Sequence, residues 1–249
     1  VIVSRDVADL LGRVNVAGFD PTQASPEERD AIRALSAEGF IVDTHEAERL
    51  ALTKRFADMR EDASQLRVTV LTTLQCNFAC DYCVQGDHGA HTSSDRLSLD
   101  TAGRTLSWIE AQLDQFKPSS FALTFFGGEP LLNLPVVYYL SEHVWQACQT
   151  RGIRMLINVI TNGLLLTPEV VDRLLPFGLN GVKVTLDGAQ EEHDQARPLR
   201  GGQGTFDRIV ENVRHVAGKC RVAIGGNFQD GGTGSFVELL DFLAAQEFA

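Results

Sequence analysis

The stretch Cys76-Asn77-Phe78-Ala79-Cys80-Asp81-Tyr82-Cys83 places three cysteines in the spacing C-x3-C-x2-C. It follows Val68-Thr69-Val70-Leu71-Thr72-Thr73-Leu74, a run rich in the β-branched residues that favour strands. Thiolates are soft ligands that suit iron–sulfur clusters and zinc. Three close thiolates would leave one iron of a four-iron cluster open to a small molecule. The stretch therefore predicts a metal or redox centre on a loop that follows a strand.

Zinc is the main alternative to a cluster at this loop. The three cysteines together with His88 or His91 would make an acceptable Cys₃His site. An unmetallated trio is a further alternative, and a disulfide is a poorer one because the chain has five cysteines, an odd number. The remaining two, Cys148 and Cys220, have no partners at ligand spacing and are predicted to be structural thiols.

From residue 66 onward, strand-like and helix-like segments alternate. Strands are predicted near residues 68–74, 121–126, 153–160, 181–186 and 221–224, and helices near 99–116, 134–151, 168–175, 205–217 and 235–246. This alternation predicts an α/β fold with a parallel sheet of about five βα units. Glycine-rich or polar stretches follow the strands, so in a barrel or part-barrel they would share the C-terminal rim, where such folds build active sites.

Residues 1–65 have a different pattern and are predicted to form a small α+β element with a linker helix. Ser25, Pro26 and Glu28 have the spacing of a capping box at the start of a helix that ends near Ala37. Phe40-Ile41-Val42 is a candidate short strand, and residues 46–62 are a candidate charged helix. The predicted domains are therefore 1–65 and 66–249.

Composition narrows the classes of function. The formal charge is −11, from 22 basic and 33 acidic residues, which argues against a sequence-independent grip on nucleic acid. No apolar run approaches the roughly 20 residues that cross a bilayer, and the first residues lack the pattern of a signal peptide. The tight cysteine group suits a reducing compartment. We therefore expect a cytoplasmic protein with no nucleic-acid or membrane partner.

Two further motifs make a family resemblance specific. Gly127-Gly128-Glu129-Pro130 follows the second strand, and Val184-Thr185-Leu186-Asp187-Gly188 precedes His193-Asp194 and Arg197. Together with the cysteine motif, they resemble the radical S-adenosylmethionine (SAM) superfamily, and in particular its SPASM/twitch subgroup of peptide and sulfatase maturases. The resemblance covers residues 66–249. It implies a partial (β/α)6 TIM-like barrel, a [4Fe-4S] cluster and SAM, whose reductive cleavage yields a 5′-deoxyadenosyl radical.

The resemblance also implies roles for individual residues. Cys76, Cys80 and Cys83 would ligate the cluster. Glu129 would accept hydrogen bonds from the SAM ammonium group, and glycine lets the backbone pass close to a ligand. The complete set of predicted cofactor-binding residues is Tyr82, Gly127, Gly128, Glu129, Asn162, Thr185, Asp187, Arg197 and Asn227.

Ordinary structural roles stand beside these assignments. Gly-Gly-Glu-Pro could be a plain turn, and Asn162 could simply favour the turn with Gly163. Thr185 and Asp187 could be polar residues that end a strand, and Arg197 could be a solvated loop residue or could meet a substrate carboxylate. No catalytic acid or base is identifiable.

The substrate implied by the resemblance is a peptide or protein, as in the maturation of ribosomally made peptides. The N-terminal element is a candidate for binding a leader peptide, by edge addition to its short strand, or else a linker that packs on the barrel. The alternatives are a sulfatase-type formylglycine maturase and a zinc-stabilised binding module. A flavodoxin or ferredoxin would donate electrons. Because no sixth strand or cysteine-rich domain follows, the sequence is expected to be an incomplete catalytic unit.

Overall fold

The structure is a computed structural model that describes residues 4–16, 18–42, 44–86, 95–227 and 233–246. The chain divides into two compact units, Val1–Asp62 and Ala63–Ala249. The first unit contains the helices α1 (Arg5–Val14), α2 (Pro26–Ala37) and α3 (His45–Glu61), with a 3-10 turn at Pro21–Gln23. The capping box of α2 is confirmed, since Ser25 Oγ accepts from Glu28 N–H at 3.2 Å and Glu28 Oε2 accepts from Ser25 N–H at 2.9 Å.

The predicted strand at Phe40-Ile41-Val42 is wrong. Gly39 has φ +80° and ends α2, and the Phe40 N–H donates to Leu35 O at 2.8 Å in the manner of a helix C-cap. Phe40 and Val42 are 54% and 41% exposed. The described residues of this unit contain helices and turns but no strand, because a three-residue apolar run without a neighbouring strand has nothing to pair with.

The second unit alternates strands and helices, as predicted. Its strands are β1 (Gln65–Thr73), β2 (Ser120–Gly127), β3 (Arg154–Thr161), β4 (Leu179–Thr185) and β5 (Arg221–Gly225). Its helices are α4 (Leu99–Phe116), α5 (Leu134–Gln149), α6 (Pro168–Leu174), α7 (Gln190–Ala196), α8 (Phe206–Val216) and α9 (Thr233–Ala245). The short helix α7 was not predicted, because a sequence of seven mostly polar residues carries no apolar periodicity.

All neighbouring strands are parallel and lie in the order β1-β2-β3-β4-β5. Consecutive parallel strands with right-handed crossovers place every helix on the same face of the sheet. Phe121, Leu123 and Phe125 of β2 are fully buried on that face, whereas Thr124 and Phe126 on the opposite face are only partly buried. Because β1 and β5 are edges, the five βα units form an open, partial TIM-like barrel.

The boundary between the units lies three residues before the predicted one, because β1 begins at Gln65, where it pairs with Ser120 of β2. Cys148 is fully buried in the core, as predicted, and Cys220 packs partly buried against the core. Among the helices in the described ranges, none combines the length and apolar character needed to cross a bilayer.

Candidate functional site

The cysteine loop, residues 76–83, follows β1 and contacts the segment that follows α7. The Ala79 N–H donates to Pro198 O at 2.9 Å, and Phe78 forms an antiparallel bridge with Leu199. The Phe78 ring is fully buried beneath the loop. The thiols of Cys76, Cys80 and Cys83 are all free and partly buried. The fold therefore holds the loop at the carboxyl edge of the sheet by contacts between residues far apart in sequence.

Two donors point at the sulfur of Cys76. The Phe78 N–H lies 3.5 Å from Sγ, and the side-chain Nδ2 of Asn162 lies 3.8 Å from it. Burial raises the pKa of the Cys76 thiol, and burial likewise raises the pKa of Cys80 to about 11. Hydrogen bonds to sulfur stabilise the negative charge that a thiolate carries when it ligates a metal. The surroundings of Cys76 therefore suit a metal-bound sulfur.

The three thiols are soft ligands that suit a four-iron cluster and a zinc ion alike. Within the described ranges, no three His, Cys, Asp or Glu side chains gather closely enough to hold one metal ion. A zinc site needs its ligands around one ion, whereas a four-iron cluster distributes its thiolates over separate irons. His88 and His91, the candidate fourth ligands of a zinc site, lie outside the described residues. That Cys76, Cys80 and Cys83 ligate a [4Fe-4S] cluster therefore stays a prediction, for which the three free thiols provide three ligands.

The glycine pair at the end of β2, Gly127 and Gly128, lies against the end of β1 and the residues that follow it. A Cβ at Gly127 would lie 2.2 Å from Thr73 O, and one at Gly128 would lie 2.3 Å from Gln75 O. Gly127 also has φ +133°, a conformation open in practice only to glycine. We expected these glycines to make room for a ligand, but the atoms that exclude a side chain belong to the protein's own backbone.

Glu129 is fully buried and already engaged by protein donors. Its Oε1 accepts from Leu131 N–H at 3.0 Å and from Thr161 Oγ1 at 2.8 Å, and its Oε2 accepts from Asn162 N–H at 2.8 Å. Burial raises its pKa to about 7, although these hydrogen bonds oppose the increase. One of the roughly four lone-pair positions of a carboxylate remains, on Oε2. Glu129 therefore links the ends of β2 and β3.

Asn162 serves both as a turn residue and as a donor toward the cysteine loop. Its Oδ1 accepts from Leu164 N–H at 3.0 Å, which is the predicted turn. Its Nδ2 donates to Asn77 Oδ1 at 2.7 Å as well as facing Cys76 Sγ. Asn77 and Thr161 were not singled out from the sequence, although both adjoin residues that were.

Tyr82, Asp187, Arg197 and Asn227, four of the predicted residues, form one network. The Tyr82 hydroxyl donates to Asp187 Oδ2 and accepts from Arg197 Nη1. Arg197 Nη1 lies 3.6 Å from Asp187 Oδ2 in a buried ion pair, and the Asn227 N–H donates to Asp187 Oδ1 at 2.7 Å. Burial, followed by the hydrogen bond to Asp187, raises the pKa of Tyr82 to about 12, so its hydroxyl remains a donor.

Arg197 has a donor to spare. Its side chain is 9% exposed, and its buried Nε has no hydrogen-bond partner among the described residues. The guanidinium carbon lies 5.6 Å from the centroid of the Phe78 ring beneath the cysteine loop. A buried N–H without a partner is costly. A carboxylate at this position would satisfy it, so Arg197 is not the solvated loop residue considered above.

His193 and Thr205 support this network, and neither was assigned a role from the sequence. His193 is fully buried, and its Nδ1 accepts from Asp187 N–H at 3.1 Å. That bond places the ring proton on Nε2, which lies 3.0 Å from Thr205 Oγ1. Thr205 Oγ1 in turn donates to Arg197 O at 3.0 Å. The spacing of His193 after Asp187 was the only signal in the sequence that could have indicated this arrangement.

Thr185 is a predicted residue that lies outside the Tyr82–Asp187–Arg197–Asn227 network and outside the contacts of the cysteine loop. It is the last residue of β4, pairs with Gly225 of β5, and is partly buried. Its position on the rim is as predicted, but the described contacts do not connect its side chain with Asp187 or with the cysteine loop.

Comparison with known proteins shows which proteins the chain is similar to. The chain is 34% identical over 142 residues to an AdoMet-dependent heme synthase of Methanosarcina barkeri, covering 57% of this chain and 36% of that protein. It is 30% identical over 148 residues to a serine-type anaerobic sulfatase-maturating enzyme of Bacteroides thetaiotaomicron, covering 55% and 33%. The solved structure of native anSMEcpe with bound AdoMet and Cp18Cys peptide has a TM-score of 0.53 at 21% identity, covering 64% and 42%.

These alignments cover about a third of each of the two curated relatives, and the structural comparison supports the fold alone. The family model of the radical SAM superfamily matches residues 70–243. This range includes the cysteine loop, the glycine pair and all five strands except the start of β1. The chain therefore belongs to the radical SAM superfamily, whose enzymes use a [4Fe-4S] cluster and SAM.

Proposed function

We propose that this chain is the catalytic unit of an enzyme that reductively cleaves SAM at a [4Fe-4S] cluster held by Cys76, Cys80 and Cys83. The observation that carries the proposal is the position of Arg197, whose unpartnered, buried Nε lies beside the cysteine loop. A small molecule that occupies the open iron and carries a carboxylate would satisfy this donor. SAM is such a molecule.

A cluster held by Cys76, Cys80 and Cys83 would supply the electron for the reductive cleavage of SAM to methionine and a 5′-deoxyadenosyl radical, and that radical would take a hydrogen atom from the substrate. Arg197 binds the carboxylate of SAM through a charge-assisted hydrogen bond. The backbone at Gly127 and Gly128, with the remaining acceptor position of Glu129, receives the ammonium group. Asn162 holds Cys76 through its hydrogen bond to the sulfur.

The remaining predicted residues are assigned to the nucleoside. The ring of Tyr82 packs beside the adenine, since its hydroxyl is already held by Asp187 and Arg197. Thr185, Asp187 and Asn227 face the ribose and adenine from the ends of β4 and β5. Fixing these groups in advance lowers the cost of ordering the ligand on binding.

We propose a peptide or protein as the substrate, in the maturation of a ribosomally made peptide. Similarity to an enzyme named for maturating a sulfatase, and to a structure that holds a peptide, supports this class. The unit Val1–Asp62 is the candidate for binding a leader peptide. Its described residues offer helices rather than the strand edge that we expected, so a helical surface would make the contact. A cytoplasmic flavodoxin or ferredoxin would supply the electrons.

A sulfatase-type maturase that oxidises a cysteine or serine to formylglycine is the second candidate, favoured by the same sulfatase-maturating relative. Mass spectrometry separates the two. The reduced protein with SAM would be incubated with a sulfatase-derived peptide and, separately, with precursor peptides encoded beside its gene. Formylglycine in the first peptide would support the second candidate, whereas modification of a precursor peptide alone would support the first.

The proposed SAM chemistry can be tested by electron paramagnetic resonance (EPR). The protein is reconstituted anaerobically with iron and sulfide and reduced, and its spectrum is recorded with and without SAM. We expect a reduced-cluster signal that changes on adding SAM. The signal should be lost in Cys80→Ala and retained in Cys220→Ala, a partly buried thiol outside the loop. Stoichiometric zinc without a cluster signal would refute the proposal and favour the zinc-stabilised binding module.

A further inference from the structure

The five strands of the sheet carry charges of one sign only. Their sequences contain four basic residues, Arg67, Arg154, Lys183 and Arg221, and no aspartate or glutamate. The whole chain has 33 acidic and 22 basic residues, so this excess of positive charge opposes the overall composition. The strands are therefore positively charged although the chain as a whole is acidic.

All four basic side chains lie on the face of the sheet away from the helices, which we call the open face. Lys183 alternates with the buried Val182 and Val184, which pack on the helix side. Arg221 pairs with Gly181, one alternation from Lys183, so both basic side chains are on the same face. The registers of β1 and β3 place Arg67 and Arg154 on that face as well, and all four residues are exposed.

Lys183 lies nearest to the candidate site. A Cβ at Gly225 would lie 2.7 Å from Lys183 Cε, so the lysine extends along β5 toward the rim, where Gly225 pairs with Thr185. In the register, Ile160 of β3 lies beside it, and Phe126 and Leu71 continue the same row on β2 and β1. Leu71 is 45% exposed, so the row forms an accessible apolar surface beside the ammonium group.

The described carboxylates leave the cations of β4 and β5 without an ion pair. Among the described residues, no carboxylate forms an ion pair with Lys183 or Arg221, whereas Lys219 on the helix side pairs with Asp172 at 2.8 Å. Complementary charge steers partners and fixes their register. An exposed face with apolar patches and unpaired cations suits an extended chain that carries carboxylates.

We propose that the open face binds an acidic segment of the substrate peptide, with Lys183 contacting the carboxylate nearest to the reacting end. This inference rests on the proposed function and specifies its substrate class. Gly181 and Gly225 make room for the two cationic residues themselves, since a Cβ at Gly181 would lie 2.8 Å from Arg221 O and one at Gly225 would lie 2.7 Å from Lys183 Cε. Apolar side chains of the segment would pack on Leu71, Phe126 and Ile160, while its carboxylates would face β4 and β5.

The test measures the binding of a fluorescein-labelled glutamate-rich peptide, and of the same peptide with glutamine at each glutamate, to the reconstituted protein by fluorescence anisotropy. We expect the acidic peptide to bind more tightly, with an affinity that falls as salt is added. Lys183→Gln and Arg221→Gln should each weaken its binding about two- to fivefold, the size expected for an exposed ion pair. Lys219→Gln removes the same charge from the helix side and should leave the affinity unchanged.

Equal affinity for the two peptides would overturn the inference. So would an equal loss in Lys219→Gln and Lys183→Gln, because the attraction would then come from net charge alone. A loss of SAM affinity in Lys183→Gln without a loss of peptide affinity would assign the ammonium to SAM instead. Peptide affinity is read independently of the SAM-dependent EPR change, so a cluster that ignores SAM would refute the proposed function separately.

Discussion

Replacing His193 by asparagine should make the protein's stability less sensitive to acid. His193 is fully buried, and burial, followed by the nearby positive charge of Arg197, lowers its pKa from 6.5 to about 4, although Asp187 and Asp194 oppose this. As the pH falls below 6.5, His193 becomes protonated in the unfolded chain, whereas in the folded chain it stays neutral until about pH 4. The free energy of unfolding therefore falls across this window.

The size of this fall in the free energy of unfolding follows from the difference between the two pKa values. At 1.36 kcal/mol for each pKa unit, the gap between 6.5 and about 4 corresponds to about 3 kcal/mol, of which about 2 kcal/mol is lost between pH 7 and pH 5. At neutral pH, His193→Asn should destabilise the fold by about 1–3 kcal/mol, because the hydrogen-bonding groups of Asp187 and Thr205 lose a well-placed partner.

Urea unfolding of the metal-free protein and the variant, followed by tryptophan fluorescence at the two pH values, measures both effects. Groups distant from His193 contribute equally to the stability of the two proteins and cancel in the difference. The stability gap between them should therefore shrink by about 2 kcal/mol at the lower pH. Thr205→Val keeps the imidazole and should not show this shrinkage. A gap for His193→Asn that is the same at both pH values would refute the assignment of a buried neutral histidine.

Two further changes test the site. Gly127→Ala should lower the free energy of unfolding by about 3 kcal/mol or more, because the added Cβ would meet Thr73 O. Gly152→Ala, at φ +66° with open space around it, should lower it by only about 1–2 kcal/mol. Equal urea midpoints for the two variants would contradict this expectation. Asn162→Ala removes a donor to the sulfur of Cys76 and should make the cluster's reduction potential more negative by tens of millivolts, measured by EPR redox titration; an unchanged potential would assign Asn162 to the turn alone.

The sequence determined the elements that depend on local patterns. The apolar runs of β2 and β3 and the helix α4 lie within a few residues of their predicted positions, because their strand and helix patterns are long and unbroken. The capping box at Ser25 was predictable because its bonds join residues three apart. The cysteine spacing predicted a metal loop for the same reason, since its chemistry depends on neighbours along the chain.

Contacts between distant residues could not be predicted in this way. The sequence predicts that Tyr82 and Asp187 belong to one site, but only the fold brings the hydroxyl to the carboxylate across 105 residues. Two of the three donors that engage Glu129, Thr161 Oγ1 and the Asn162 N–H, come from the end of β3. The Thr73 oxygen that excludes a side chain at Gly127 comes from the end of β1. The single sign of charge on the open face depends on strand register, because alternation along a strand assigns faces only relative to its neighbours. Helix, strand and turn preferences depend on residues close in sequence, whereas burial, hydrogen-bond partners and shared faces arise only when the strands pair.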